Sequence, residues 1–248
     1  MKKGVFTVVS NEMLTKDVFK MTLRGDCSAI KAPGQFVNIE LEGFFLRRPI
    51  SVCDLERDML TLIYKTVGAG TEKMSRLRTG ELLDLLTGLG NGYDVAKSGE
   101  SPLLIGGGAG IPPLYLLAKR LIETGKSPRA ILGFNAKSEV FYEREFSTLC
   151  GKVYITTADG SYGTRGFVTD AFGSIPNWDY IFACGPEAML RAVYGRSETD
   201  GQFSFEERMG CGFGACMGCT CNTKYGAKRI CREGPVLEKG EIIWQTQE

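Results

Sequence analysis

The 248-residue sequence contains no histidine. That absence takes imidazole out of the available chemistry: no Ser-His-Asp or Cys-His dyad, no imidazole general base and no His-ligated zinc or haem can be built. Whatever chemistry occurs here uses other groups or a bound cofactor. An excess of one charge is also missing. Lys+Arg number 30 against Asp+Glu 29, a net charge of +1, which argues against a nucleic-acid partner held by bulk charge. No run approaches the about 18 apolar residues of a membrane span. The start, MKKGVFTVVS, offers two lysines but neither a long apolar run nor a small-residue cleavage site, so it does not read as a signal peptide. The expected setting is therefore soluble and cytoplasmic.

Cysteine, by contrast, is plentiful and unevenly placed. Of nine cysteines, Cys27, Cys53, Cys150 and Cys184 are scattered, whereas Cys211, Cys216, Cys219, Cys221 and Cys231 fall within 21 residues. A crowded set of this kind in a reducing compartment points to a metal site rather than to disulfides. Cys211-x4-Cys216-x2-Cys219, with Cys231 after eleven further residues, follows the plant-type spacing for a [2Fe–2S] cluster. Four thiolates give each of two irons two protein sulfurs. The interleaved Gly210, Gly212, Gly214, Ala215 and Gly218 let the backbone wrap and aim N–H groups at the sulfurs. Structural zinc and unligated core thiols are the competing readings, but zinc sites usually show two separated C-x2-C knuckles and only one is present. Cys221, two residues beyond Cys219, could replace it on an extended segment; the spacing favours Cys219.

Along the chain, the first hundred residues read as short strands separated by turns (VFTVVS, VFKMTL, GQFVNIEL, RRPISVCD, MLTLIYKT), the pattern of an antiparallel barrel or sandwich. From Pro102 the pattern changes to strand and helix in alternation. PLLIGG leads into a helix with Leu114, Leu117, Ala118 and Leu121 on one face, and AILGFNA, KVYITTA and DYIFACG are further strands. Alternation over about a hundred residues implies βαβ units and a parallel sheet. The remaining residues are rich in Gly and Cys with almost no helical period. The expected division is 1–98, 99–200 and 201–248.

Three further segments invite a ligand. GGGAGIPPL is a glycine turn opening a helix, suited to a phosphate, although Ile111 stands where a full G-x-G-x-x-G has its third glycine. Cys184-Gly185-Pro186 closes a strand at the carboxyl edge of the same sheet, where open α/β folds bind ligands. Arg48-Pro49-Ile50-Ser51 places an arginine and a serine on a strand whose proline demotes it to an edge or irregular position. Each has a plain structural alternative: a tight turn, a strand end, a solvated arginine. Gly70-Thr71, at the start of the helix candidate GTEKMSRL, reads equally well as an ordinary cap.

Taken in order, RPIS, IYK, GT, GGGAGIPPL, DGSYGTRGFVTD, CGP, GCGFGACMGC and CREGPVL resemble the ferredoxin-NADP reductase superfamily and, within it, the electron transfer subunits of B-type dihydroorotate dehydrogenases. The resemblance implies an FAD-binding β-barrel, a Rossmann-like NAD domain and a small C-terminal [2Fe–2S] module. It also implies site residues: Arg48, Pro49, Ile50, Ser51, Ile63, Tyr64, Lys65, Gly70 and Thr71 for FAD, and Gly107, Gly108, Gly110, Gly185 and Pro186 for NAD. Cys184 would lie near the nicotinamide, and Cys211, Cys216, Cys219 and Cys231 would hold the cluster. The implied role is in pyrimidine biosynthesis. Electrons would pass from the FMN of a separate dihydroorotate dehydrogenase catalytic subunit through the cluster and FAD to NAD⁺, in a heterotetramer of two of each subunit. The acid-base chemistry at dihydroorotate would then fall to the partner, which fits the missing histidine. A reductase subunit of ferredoxin-NADP or sulfide dehydrogenase type, or a non-catalytic zinc module, are the alternatives. Phe213 and Met217, beside the cysteines, are expected at the partner surface. The preference for NAD over NADP comes from the resemblance, and Cys221 receives no role.

Overall fold

The computed structural model describes residues 1–244; the last four residues of the 201–248 stretch lie outside the described residues. Six strands, β1 (Lys2–Met13), β2 (Val18–Arg24), β3 (Phe36–Ile39), β4 (Arg48–Glu56), β5 (Met59–Lys65) and β6 (Leu82–Leu89), close into a barrel of order β1-β2-β5-β4-β3-β6. Their neighbours pair antiparallel. Alternation decides which side chains face inward. Along β6 every second residue, Leu83, Leu85, Thr87 and Leu89, is buried. Phe6, Met21, Leu23, Leu60, Leu62 and Leu85 are fully enclosed in the centre, each contributing on the order of 1.5–3 kcal/mol by leaving water. A barrel rather than a sandwich forms because β1 pairs with both β2 and β6 and leaves no free edge.

The barrel wall is not continuous. β4 pairs with β5 only from Val52 onward, after which the register shifts, while Arg48 to Ser51 pair with β3 alone. On the other side, Ile63 to Lys65 pair with β2 alone. A seam therefore opens between these two stretches. Pro49 sits in an interior strand of the barrel, yet on a stretch with one neighbour, which is how a residue without an N–H is tolerated. The short helix α1 (Ala69–Ser75) follows β5.

Beyond the barrel come β7 (Leu103–Gly107), α2 (Pro112–Glu123), β8 (Arg129–Phe134), α3 (Glu143–Cys150), β9 (Val153–Thr157), β10 (Thr164–Arg165), β11 (Ile181–Cys184), α4 (Glu187–Arg196) and β12 (Gly201–Ser204). The sheet runs β10-β9-β8-β7-β11-β12-β15, parallel except for its last strand, β15 (Val236–Glu238). It thus draws β12 and β15 from beyond residue 200. A hairpin of β13 (Thr220–Thr223) and β14 (Gly226–Arg229) completes the cysteine module. α2 begins with two prolines in its first turn and has Leu114, Leu117, Ala118 and Leu121 wholly buried. Lys119 on this helix ties the sheet region to the barrel: its Nζ lies 2.8 Å from Asp54 Oδ1 and 3.0 Å from Glu56 Oε1. Among the described residues no helix is long and apolar enough to cross a membrane.

Candidate functional site

The chain places the sequence-derived residues in three groups. The first surrounds the barrel seam. Arg48 to Ser51 form one lip and Ile63 to Lys65 the other, each with one side of its backbone unpaired. Arg48 is held with its guanidinium carbon 4.7 Å from the centre of the Phe44 ring, and it packs directly on Gly70, where any Cβ would collide with it. Thr71 serves as a cap: its Oγ1 accepts from the Val67 N–H at 2.9 Å and donates to the Gly68 carbonyl at 3.0 Å. Tyr64 turns inward, its hydroxyl bonded to Asn11 Oδ1 at 2.9 Å, so only its main chain belongs to the lip. The seam offers what an extended, partly anionic ligand needs, namely unpaired backbone groups and a fixed guanidinium.

The second group lines a cleft of about 690 Å³. In the sheet, β7, β8 and β9 step one way while β11 and β12 step the other, which puts the switch point between β7 and β11, with Gly106 opposite Cys184. Ligands of open α/β sheets bind there. Gly107, Gly108, Gly110, Gly185 and Pro186 all border the cleft, and Lys65 and Asp17, 3.1 Å apart, border it from the barrel side. The cleft thus joins the seam to the sheet edge. Gly110 cannot carry a side chain, because a Cβ would run into the Cys184 carbonyl. Cys184 is 2 % exposed and is not among the cleft-lining residues; burial pushes its thiol up to about 12, so it stays protonated.

Two cleft residues went unnoticed in the sequence. Glu206, just past β12, enters the cleft, where burial of its carboxyl raises its pKa above the ordinary value while the residue keeps solvent contact through the mouth. The signal was present: two adjacent acids, Glu206 and Glu207, follow the strand GQFS at the carboxyl edge of the sheet. Thr156 on β9 lines the same cleft with a buried Oγ1 that has no partner.

The third group is the cysteine module. Cys211 and Cys216 form an outer pair: Ala215 N–H and Cys216 N–H donate to Cys211 Sγ at 3.2 and 3.4 Å, and Cys211 N–H donates to Cys216 Sγ at 3.4 Å. Burial opposes ionisation of Cys211, but N–H groups of Phe213, Cys216 and Ala215 and the Cys216 thiol outweigh it and pull Cys211 down to about 6. Cys219 and Cys231 form an inner pair, each 2 % exposed, with Cys231 N–H 3.4 Å from Cys219 Sγ. Among the described residues no three Cys, Asp or Glu side chains converge on one point that could hold a single metal ion. Two pairs suit two irons, each taking two thiolates. Arg229 braces the loop, bonding the Gly214 carbonyl while Glu233 holds its guanidinium. Cys221 lies on β13, half-buried, outside both pairs.

Residues 206–243 match the family described as the iron-sulfur cluster binding domain of dihydroorotate dehydrogenase B. The structure of an NADH-dependent reduced ferredoxin-NADP oxidoreductase superposes with a TM-score of 0.88 at 29% identity, covering 96% of this chain and 90% of the other. A ferredoxin NADP+ reductase from Neisseria gonorrhoeae shares the fold over 79% of this chain and 90% of its own, at a TM-score of 0.67 and 15% identity. The split barrel, the switch-point cleft and the terminal cysteine module define an electron-transferring oxidoreductase of the ferredoxin-reductase type. Full-length similarity is more specific. The electron transfer subunits of dihydroorotate dehydrogenase B (NAD(+)) from Bacillus mycoides (strain KBAB4) and Shouchella clausii (strain KSM-K16) are 43% and 42% identical, covering 98% of this chain and 99% and 98% of theirs. The chain belongs to this family of electron transfer subunits.

Proposed function

We propose that the chain relays electrons between NAD and a separate FMN-bearing subunit that oxidises dihydroorotate, with FAD and a [2Fe–2S] cluster as its own cofactors. The observation that carries this reading is the division of four thiols into two pairs, on a module packed beside the barrel seam. When bound, FAD exchanges hydride with the nicotinamide and single electrons with the cluster. The chain itself binds and orients. Arg48 supplies a fixed positive charge, and Pro49, Ile50 and Ser51 face Ile63, Tyr64 and Lys65 across the seam, with Gly70 and Thr71 behind Arg48. Gly107, Gly108 and Gly110 line the cleft with main chain for a pyrophosphate, Gly185 and Pro186 shape the cleft floor, and Cys184 keeps a neutral thiol beneath it. Glu206 borders the same cleft, and burial raises its carboxyl above the ordinary value.

Cys211, Cys216, Cys219 and Cys231 are the cluster ligands in this reading. Phe213 and Met217, 42% and 55% exposed beside them, form the surface for the catalytic partner, in a heterotetramer of two subunits of each kind. Domains of 1–98, 99–200 and 201–248 for FAD, NAD and cluster follow the same division of labour, with β12 and β15 lending the third to the sheet of the second. Visible absorption of the purified protein tests the assignment. Flavin bands over a broad iron-sulfur shoulder are expected; a colourless protein containing zinc would overturn it.

A further inference from the structure

Asn38 is a buried polar residue for which the relay described above has no use. Its neighbours on β3, Val37 and Ile39, point into the barrel core, so alternation turns Asn38 and Phe36 outward. Asn38 stands opposite Pro49 on β4 and Leu86 on β6. Phe36 and Leu86 pack in one cluster with Cys219, Ile230 and Cys231, which makes this outer face the seat of the cysteine module. Asn38 is 1% exposed, and its Nδ2 donates to the main-chain carbonyl of Cys211 at 3.2 Å. That bond fixes the amide orientation, since only the NH2 end can donate to a carbonyl. The next residue, Gly212, has φ +76°, and a Cβ there would collide with Asn38 Nδ2. The remaining polar atom, Oδ1, is buried and receives no donor from the described residues. A side chain needed only for packing would be served better by leucine, which leaves no buried acceptor unmet.

We propose that Asn38 is a positioning residue that ties the first cluster ligand to β3, the strand paired with the flavin lip of β4, and so sets the separation across which electrons pass. The inference rests on the cofactor assignment above. Asn38 anchors the Cys211–Gly212 peptide to the barrel face bearing Pro49, and from that peptide the loop turns back so that Ala215 and Cys216 reach Cys211 Sγ. Each passage moves one electron between cluster and flavin, with no atom transferred to or from Asn38. Its contribution is geometric.

Asn38→Leu and Asn38→Asp test this in the cofactor-loaded protein, one removing both polar atoms and the other only the donor. Stopped-flow absorption follows the flavin step with NADH and the later cluster step separately, and electron paramagnetic resonance of the reduced protein reports cluster geometry. The expected result is a changed cluster line shape in both variants, with the cluster step slowed at least about fivefold relative to the flavin step, since sub-ångström misplacement is costly. Loss of iron from both variants, with FAD retained and thermal unfolding of the barrel unchanged, also supports the anchor. An unchanged line shape together with parent-like rates overturns it. A parent protein lacking flavin or iron absorption would instead sink the cofactor assignment, a result seen before any variant is made.

Discussion

The sheet edge and the cysteine module both present cysteine next to glycine, yet Cys184 at the edge and Cys211 in the module are treated in opposite ways. At the end of β11, Cys184 is sealed beneath the Gly110 backbone, and burial holds its thiol near 12. In the module, Cys211 sits in a loop whose N–H groups converge on its sulfur, and it falls to about 6. One arrangement makes a small apolar wall, the other a thiolate ready for soft metal. Ionisation alone does not sort wall from ligand, since burial pushes Cys231 up to about 12 as well; what sets the module apart is main-chain N–H groups aimed at its sulfurs.

The largest effect expected from this contrast is on iron content. Cys219→Ser should abolish the broad visible absorption and bring iron per chain to near zero, while Cys184→Ala keeps both at parent levels. Iron analysis and visible spectra of the two purified variants decide it. Equal iron loss in both would erase the distinction between wall and ligand.

The next effect concerns the backbone above Cys184. Gly110→Ala forces a methyl into the Cys184 carbonyl, a rigid neighbour, and should cost about 1–3 kcal/mol of stability as other overpacked sites do, with weaker NADH binding. Gly108 has open space at its Cβ position and only a φ of +50° to accommodate. Gly108→Ala should therefore cost about 1 kcal/mol. Thermal unfolding and NADH titration of the pair separate steric closure from backbone strain; equal losses would show that the Cys184 contact is not what requires glycine.

A smaller effect is expected at Glu206, whose carboxyl is raised by burial from an ordinary value of 4.5. With the folded pKa above the unfolded one, the folded state holds the proton more tightly. Stability attached to this group is thus present below the unfolded value and declines as pH rises through the window up to the folded value. Glu206→Gln should flatten that decline and remove a titration above the usual carboxylate range from the pH profile of NADH-driven flavin reduction. A parent profile without such a titration would place Glu206 in the ordinary surface class.

Much of this arrangement was legible in the sequence, because the relevant signals are local. Apolar alternation marked the strands, the i, i+3, i+4, i+7 face of α2 marked its buried side, and x4-then-x2 spacing separated the paired cysteines from Cys221. The seam was legible only in part. Pro49 signalled an interrupted strand, but the one-sided pairing of Arg48 to Ser51 depends on where β5 leaves β4, a long-range register that no short segment encodes. Glu206, Thr156 and Asn38 were illegible for a related reason: each is an unremarkable polar residue until the fold buries it, as with Thr156 and Asn38, or sets it at the cleft, as with Glu206. The use of β12 and β15 in the parallel sheet was likewise hidden, because strands of four and three residues carry little period.

Cys221 gives the smallest effect and the finest test of the contrast. It is two residues from Cys219, so proximity alone would make it a ligand. Its strand, however, is engaged in a hairpin: Cys221 pairs with Lys228 on β14, and its side chain packs half-buried against the cluster that includes Ile230, Leu237 and Ile242. The loop amides of Ala215 and Cys216 that address Cys211 point elsewhere. Cys221→Ser should then leave iron content and the resonance line shape at parent values and lower stability by no more than about 1 kcal/mol, the cost of a small change at a half-buried site. Iron loss approaching that of Cys219→Ser would mean that position along the chain, rather than the surrounding amides, selects the ligand.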